Sequence, residues 1–420
     1  MRRLALLGVV AVLVGCGGGS KPVSDAAELV PPSAQSFVSL QTDLGGLPHV
    51  LNRFPIGSAA LKAVRQGLKL KPSMGPELDL AIFKAGTVSF TQPADEKALE
   101  AALGPKQLHA RIRGWTVFTD KAPLLDLVQH HKGKLSELTA YQDAIGRLPA
   151  SGIVRAYSTT VVASGLALTR SLPVNLPTAN VKQPNWVAAA LTSNGDELKL
   201  EVHLKGTKGP AAQSSSDLVS QIPAGSVLAL GIGGFGRVSG KLKIGGVDLQ
   251  SLADALGGEA IVYVRAGLPF PEVTLASKAK DPEQAVRDIG RLITKLSKTK
   301  KAPLTTTVDG VTLHDVALGA VDVYYGTFDG LFVASDSTDA VAGLRSSGDK
   351  LKVPGLPATT NGFLYIDVEH ALPAIRAFAK LAKQKVPAQV DANLKPLKTL
   401  VVYGTRDGDV QSIVALLQVR

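Results

Sequence analysis

Stretches far apart in this chain follow one plan, and that limits the fold more than any other feature. Leu29 to Asp43 reads LVPPSAQSFVSLQTD, and Leu218 to Gly231 reads LVSQIPAGSVLALG. Each gives a Leu-Val pair, a proline turn and a short alternating strand. Pro76 onward (PELDLAIFKAGTVSFTQPADEKALEAAL) parallels Gly258 onward (GEAIVYVRAGLPFPEVTLASKAKDPEQAVRDIGRL). Both spell strand, glycine turn, strand, then a helix opened by Asp95-Glu96 or by Asp281-Pro282-Glu283. Acids and a proline suit a first helical turn, whose free amides want acceptors. Asn185 onward (NWVAAALTSNGDELKLEVHLKG) parallels Lys398 onward (KTLVVYGTRDGDVQSIVALLQV); each is a hairpin with Asn194-Gly195 or Asp407-Gly408 as turn signal. The chain reads as two copies of one unit.

Within a copy the patterning is antiparallel. Glu197 to Leu204 (ELKLEVHL) alternates polar and aliphatic residues, the pattern of a strand with one wet face. In Glu283 to Ser297, Val286, Ile289, Leu292, Ile293 and Leu296 form one helical stripe. Strands with tight turns, interrupted by helices, predict an α+β fold: a mostly antiparallel sheet per copy with helices on one face. Residues 206–216 (GTKGPAAQSSS) have linker composition. Copy one spans residues 25–206 and copy two 217–420.

The N-terminus carries a different signal. Arg2 and Arg3 precede an apolar run from Leu4 to Leu13, then Val14, Gly15 and Cys16. Positive residues, a short greasy core and small residues make a secretory signal. The run is shorter than the ~20 residues that cross a bilayer. Leu13-Val14-Gly15-Cys16 resembles a bacterial lipobox, which implies cleavage by signal peptidase II before Cys16. The resemblance also implies a diacylglycerol on the Cys16 thiol, usually with an added N-acyl chain; one chain alone holds weakly, and these supply the second hydrocarbon that stable attachment needs. Residues 1–15 are then the signal peptide and 16–24 the lipidated cysteine with its flexible tether. The expected site is the extracytoplasmic face of the cell membrane.

Cys16 is the single cysteine of the chain, so no disulfide, thiolate nucleophile or Cys-ligated metal is expected in the folded part. The net charge is +11, with two of the cations on Arg2 and Arg3. Nucleic acid is not expected as a partner outside the cytoplasm. The membrane, through the lipid anchor, and another envelope component are.

Candidate motifs for chemistry read as structure. Gly231-Ile232-Gly233-Gly234-Phe235-Gly236 spells G-x-G-x-x-G, but turn residues follow instead of the helix a dinucleotide needs, so a flexible loop is expected. His130-His131, with Asp126 one turn before, sits at a helix end and lacks further ligand spacing. S-x-x-K occurs at Ser277, Ser297 and Ser347 without partner motifs. The acids fall mostly in turns and helix starts, where no glycosidase pair is evident. No metal or cofactor is called for. Arg287, Arg291 and Lys295, extended by Lys298, line one basic helix that suits an anionic surface. Arg376, Lys380 and Lys383 repeat the pattern beside Ile375, Phe378 and Leu381.

The lipobox, the tether, the LVPPSAQSFVSL opening, and Tyr141 to Pro149 (YQDAIGRLP) followed by the strand Gly152 to Tyr157 resemble the bacterial lipoprotein family catalogued as domain of unknown function 3352. That resemblance implies an envelope lipoprotein and brings no functional residues. The expected function is a non-enzymatic, membrane-anchored scaffold or binding module. The alternative is a carrier holding a hydrophobic ligand between sheet and helices, for which an apolar cavity is the discriminating feature.

Overall fold

The computed structural model describes residues 25–67, 70, 73–160, 184–206, 214–215, 217–233, 243–244, 247–248, 254, 256–257, 259–267, 270–297, 303–319 and 321–420. They fall into two compact units. One joins the chain up to Gly209 with Asp407–Arg420; the other is Pro210–Arg406.

The first unit runs β1 (Ser36–Gln41), α1 (Leu47–Leu51), α2 (Gly57–Gly67), β2 (Glu77–Phe83), β3 (Gly86–Thr91) and α3 (Glu96–Ala102). It continues with β4 (Leu108–Ile112), β5 (Trp115–Thr119), α4 (Ala122–His130), α5 (Thr139–Gly146), β6 (Val154–Ser158), β7 (Trp186–Asn194) and β8 (Glu197–Lys205). The longer elements of the second unit begin with β9 (Ser226–Gly233), β10 (Glu259–Arg265), β11 (Glu272–Lys278) and α6 (Pro282–Ser297). Then come β12 (Leu304–Val308), β13 (Val311–Leu318), β14 (Val321–Phe328), β15 (Leu331–Ser335) and α7 (Thr338–Arg345). The unit ends with β16 (Gly362–Asp367), α8 (Val368–Leu381), α9 (Ala388–Leu394) and β17 (Leu397–Asp407), and β18 (Val410–Val419) follows in the first unit.

Each unit holds an antiparallel sheet. In the first, the strands lie in the order β4-β5-β3-β2-β1-β6-β7-β8-β18. In the second, the order is β12-β13-β14-β15-β11-β10-β9-β16-β17. The hairpin turns predicted after β7 and β17 are present, with Gly195 at φ 59° and Gly408 at φ 56°, a conformation glycine adopts without a Cβ clash. The last strand departs from the expected boundary. Val410 lies opposite Lys205 and Gln418 opposite Glu197, so this hairpin arm belongs to the first unit's sheet.

The predicted helix starts also form. The Asp95 carboxylate accepts from the Ala98 amide at 3.0 Å, and Asp281 accepts from Gln284 at 2.9 Å. Helices on one face is an expectation that the structure corrects. Phe37 packs with Leu124 and Val128 of α4 and with Tyr141, Ala144 and Ile145 of α5. Leu40, three residues along the same strand, packs with Leu47 and Leu51 of α1 and Val64 of α2. Side chains alternate along a strand, so these two cores lie on opposite faces. The second unit behaves alike. Ala285, Ile289 and Ile293 of α6 pack on Phe332, while the Tyr263 hydroxyl, on the other face, donates to the Ala340 carbonyl of α7 at 2.8 Å. The physical reason is that central strands carry apolar residues on both sides: Phe37 and Leu40 of β1, on opposite faces, are both buried.

Candidate functional site

The most concentrated buried chemistry lies inside the first unit, on the sheet face beneath α4 and α5. Central strand β1 presents Phe37, Ser39 and Gln41 to that face. The Phe37 row is apolar and aromatic, with Ala81 on one side and Tyr157 on the other. One step along, Ser39 lies between Asp79 and Arg155, and Gln41 lies opposite Glu77. A hydrophobic row therefore gives way to charge within two residues of strand.

Tyr141 of α5 covers this junction. Its ring meets Phe37 edge-on at 6.1 Å and Tyr157 at 5.2 Å. Asp79, Tyr141 and Tyr157 are almost wholly buried. The Ser39 hydroxyl donates to Glu77. Arg155 donates from Nη2 to the Ile145 carbonyl at 3.4 Å, at the C-terminal turn of α5, where a cation meets the negative helix end. Burial pushes the Tyr141 hydroxyl far up; Arg155 opposes that rise, and Asp79, Glu77 and Tyr157 add to it. Burial also raises Tyr157 and lowers Arg155. Both phenols thus remain protonated at neutral pH. The cluster suits holding α5 in register on the sheet.

The second unit offers an internal comparison. Its strand β9 places Ala229 between Tyr263 and Tyr365, and Ala229 and Tyr263 are fully buried. Where β1 sets Ser39 between Asp79 and Arg155, β9 sets an alanine between two tyrosines. Sequence reasoning missed Asp79 because it assigned acids to turns and helix starts; the available signal was an acid in mid-strand within ELDLAIF.

A second polar group ties α5 to the unit's outer strands. Asp143 accepts from Lys205 at 2.5 Å and from Arg147 at 3.3 Å, and Arg147 also reaches Asp407 at 3.2 Å. The Lys205 hydrogen bond holds the Asp143 carboxyl below its ordinary value.

The residues singled out from sequence are placed as follows. Leu13, Val14, Gly15 and Cys16 lie outside the described residues, as do Lys298 and the side chain of Lys295. Arg287 pairs with Glu283 at 3.4 Å and Arg291 with Asp288 at 3.3 Å, each within α6. Ser277 is buried and donates to the Leu256 and Glu259 carbonyls. Lys350 donates to the Gly343 and Leu344 carbonyls at 3.1 and 3.3 Å, closing the end of α7. His130 contacts Asp126 at 3.0 Å on the surface. Gly231 and Gly233 are strand residues, a correction to the expected loop; Gly234 to Gly236 lie outside the described residues. The Phe363 ring lies over Gly231, where an added Cβ would sit 2.2 Å from it. Among the described residues no helix is long and apolar enough to cross a membrane, and no group of three His, Cys, Asp or Glu is placed to hold a metal ion.

No family model matches the chain, and no curated protein does. Solved structures with similarity include crystal form I of TP0453, at 10% identity over 46% of this chain and 83% of that one, with a TM-score of 0.27. Crystal form III of TP0453 gives 13% identity over 45% and 82%, with a TM-score of 0.27.

Proposed function

We propose that this chain is a membrane-anchored envelope lipoprotein acting as a non-enzymatic scaffold or binding module. Acyl chains on Cys16 hold it to the extracytoplasmic face of a membrane, as in the bacterial lipoproteins of the domain of unknown function 3352 family. The observation that carries the reading is Leu13-Val14-Gly15-Cys16 behind a ten-residue apolar run, with no other cysteine in the chain. The folded part is proposed to be a duplication. In the first unit β1 pairs with β2 and β6, β2 with β3, and β3 with β5. In the second β9 pairs with β10 and β16, β10 with β11, and β11 with β15. Those two connectivities are equivalent strand for strand.

Mass spectrometry of the N-terminal peptide from the natural membrane fraction tests the anchor. The expected peptide begins at Cys16 with a mass increment for diacylglycerol; an unmodified peptide containing residues 1–15 contradicts it. A second reading, a carrier of a hydrophobic ligand, is favoured by one feature. The first unit's sheet presents a half-buried aliphatic row of Val187, Ala189, Leu198, Leu200, Val202 and Leu204 on one face of β7 and β8. Stoichiometric lipid co-purifying with a Cys16→Ser chain would select the carrier; its absence selects the scaffold.

A further inference from the structure

Among the described residues, the second unit carries an exposed apolar surface with charge around it. Helix α8 is capped by Asp367, whose carboxylate accepts from the His370 amide at 3.0 Å. Near that end Leu372 is buried against the unit. Beyond it the apolar side chains come free: Ile375 is 46% exposed, Phe378 48% and Leu381 60%. Helix α9 adds Val390 at 47%. Arg376 on α8 donates to Asp391 on α9 at 2.6 Å, which couples the two helices. Among the described residues nine large hydrophobics are exposed, and four of them fall between Ile375 and Val390. Single exposed aliphatics are ordinary on a protein surface; a cluster marks a contact.

The surrounding charge identifies the partner. From Val368 to Lys398 the cations are Arg376, Lys380, Lys383, Lys385, Lys395 and Lys398, against only Glu369 and Asp391. Asp391 is taken by Arg376 and Lys395. Lys380, Lys383 and Lys385 are exposed, and among the described residues no carboxylate pairs with them. By contrast the arginines of α6 are each paired on their own helix. A phenylalanine and aliphatics rimmed by unpaired lysines is the chemistry of a helix that lies in the interface of an anionic bilayer. A protein partner with an apolar groove would leave those lysines needing acids of its own. A second copy would bring like charge against like charge.

We propose that α8 and α9 form a lipid-facing surface, with Ile375, Phe378, Leu381 and Val390 entering the headgroup boundary and Lys380, Lys383 and Lys385 meeting anionic headgroups. Under the anchor reading the chain is held at a bilayer. The surface itself rests on the helices and is tested without the acyl chain.

The test uses the chain from residue 16 onward carrying Cys16→Ser, sedimented with vesicles of phosphatidylcholine containing phosphatidylglycerol and with vesicles of phosphatidylcholine alone. Binding is expected to the anionic vesicles. Phe378→Ser with Leu381→Ser, at unchanged charge, is expected to cut the bound fraction by at least about tenfold. Lys380→Glu, Lys383→Glu and Lys385→Glu together are expected to do the same. Arg287→Glu with Arg291→Glu, a charge change elsewhere on this basic protein, is expected to leave most binding in place. Leu381→Cys in the same background, labelled with an environment-sensitive dye, is expected to shift to the blue on anionic vesicles. All positions are exposed, and unchanged circular dichroism confirms folding. Equal loss in the α6 and α8 charge variants means general attraction of a cationic body and overturns the proposal. So does an unshifted dye, or a patch that proves by sedimentation velocity to mediate self-association instead. Failure here with Cys16 still acylated in cells refutes the lipid-facing surface and leaves the anchor standing.

Discussion

Single residues decide several local arrangements, and Gly231 is the sharpest. A methyl group there would collide with the Phe363 ring. Gly231→Ala is expected to cost about 1–3 kcal/mol through overpacking, read as a drop in denaturation midpoint. Phe363→Leu in the same chain is expected to recover part of the loss, since the two positions share one volume. Asp143 governs a pH effect. Its carboxyl is depressed below the ordinary 3.8 by the Lys205 hydrogen bond. The folded state therefore binds fewer protons than the unfolded chain in that range. The contribution is fully present above the ordinary value and is lost as pH falls through the depressed one. Between pH 5 and 3 the native chain is expected to lose more stability than Asp143→Asn does, as followed by urea titration at each pH. At this scale the helix-capping acids were readable, because Asp95 and Asp281 open apolar-periodic segments. Asp79 was not, because nothing in one sequence says which polar group in a strand will be covered by a helix. Gly231 was misplaced for a related reason: a glycine in a sheet and a glycine in a loop look alike until the ring that needs the space is known.

Among elements, the helices rest on end groups as much as on stripes. Helix α3 is only seven residues long, too short to persist without its cap and its one fully buried residue, Leu99. Asp95→Ala is expected to destabilise the first unit by about 1 kcal/mol, with hydrogen exchange rising first at the Ala98 amide. The order strand, turn, strand, helix was readable from period and punctuation in both units. Which face each helix covers was not. Strand β1 puts Phe37 on one face and Leu40 on the other, and a short strand with two apolar sides carries no sign of which helix it will meet. The basic helices show the same limit. The two helices look alike in sequence, and only the fold distinguishes the apolar stripe of α6, turned inward at Ile289 and Ile293, from that of α8, left outward at Ile375, Phe378 and Leu381.

For the whole molecule, the last strand matters most. Strand β18 pairs with β8 along its length, and His203 reinforces the pair by meeting Ser412 at 2.7 Å. Val410, Val414, Leu416 and Val419 are all buried. At about 1.5–3 kcal/mol each, their loss rivals the ~5–15 kcal/mol that holds a typical domain together. A chain ending at Gly408 is expected to lose the first unit's cooperative melting and to self-associate through the bared edge of β8, as seen by calorimetry and size-exclusion chromatography; unchanged melting would show that β18 is dispensable. The antiparallel patterning of both units was readable at this scale from alternation and turn punctuation. The return of the C-terminal strand to the first unit was not, because strand pairing over some two hundred residues leaves no local trace. The reading of the molecule as a tethered body depends on Cys16, and fractionation of cells fed labelled fatty acid measures that directly. The parent chain is expected in the membrane fraction with label, and Cys16→Ser unlabelled and released from tight association. Label-free parent protein, or a Cys16→Ser chain held in the membrane as firmly as the parent, would contradict it.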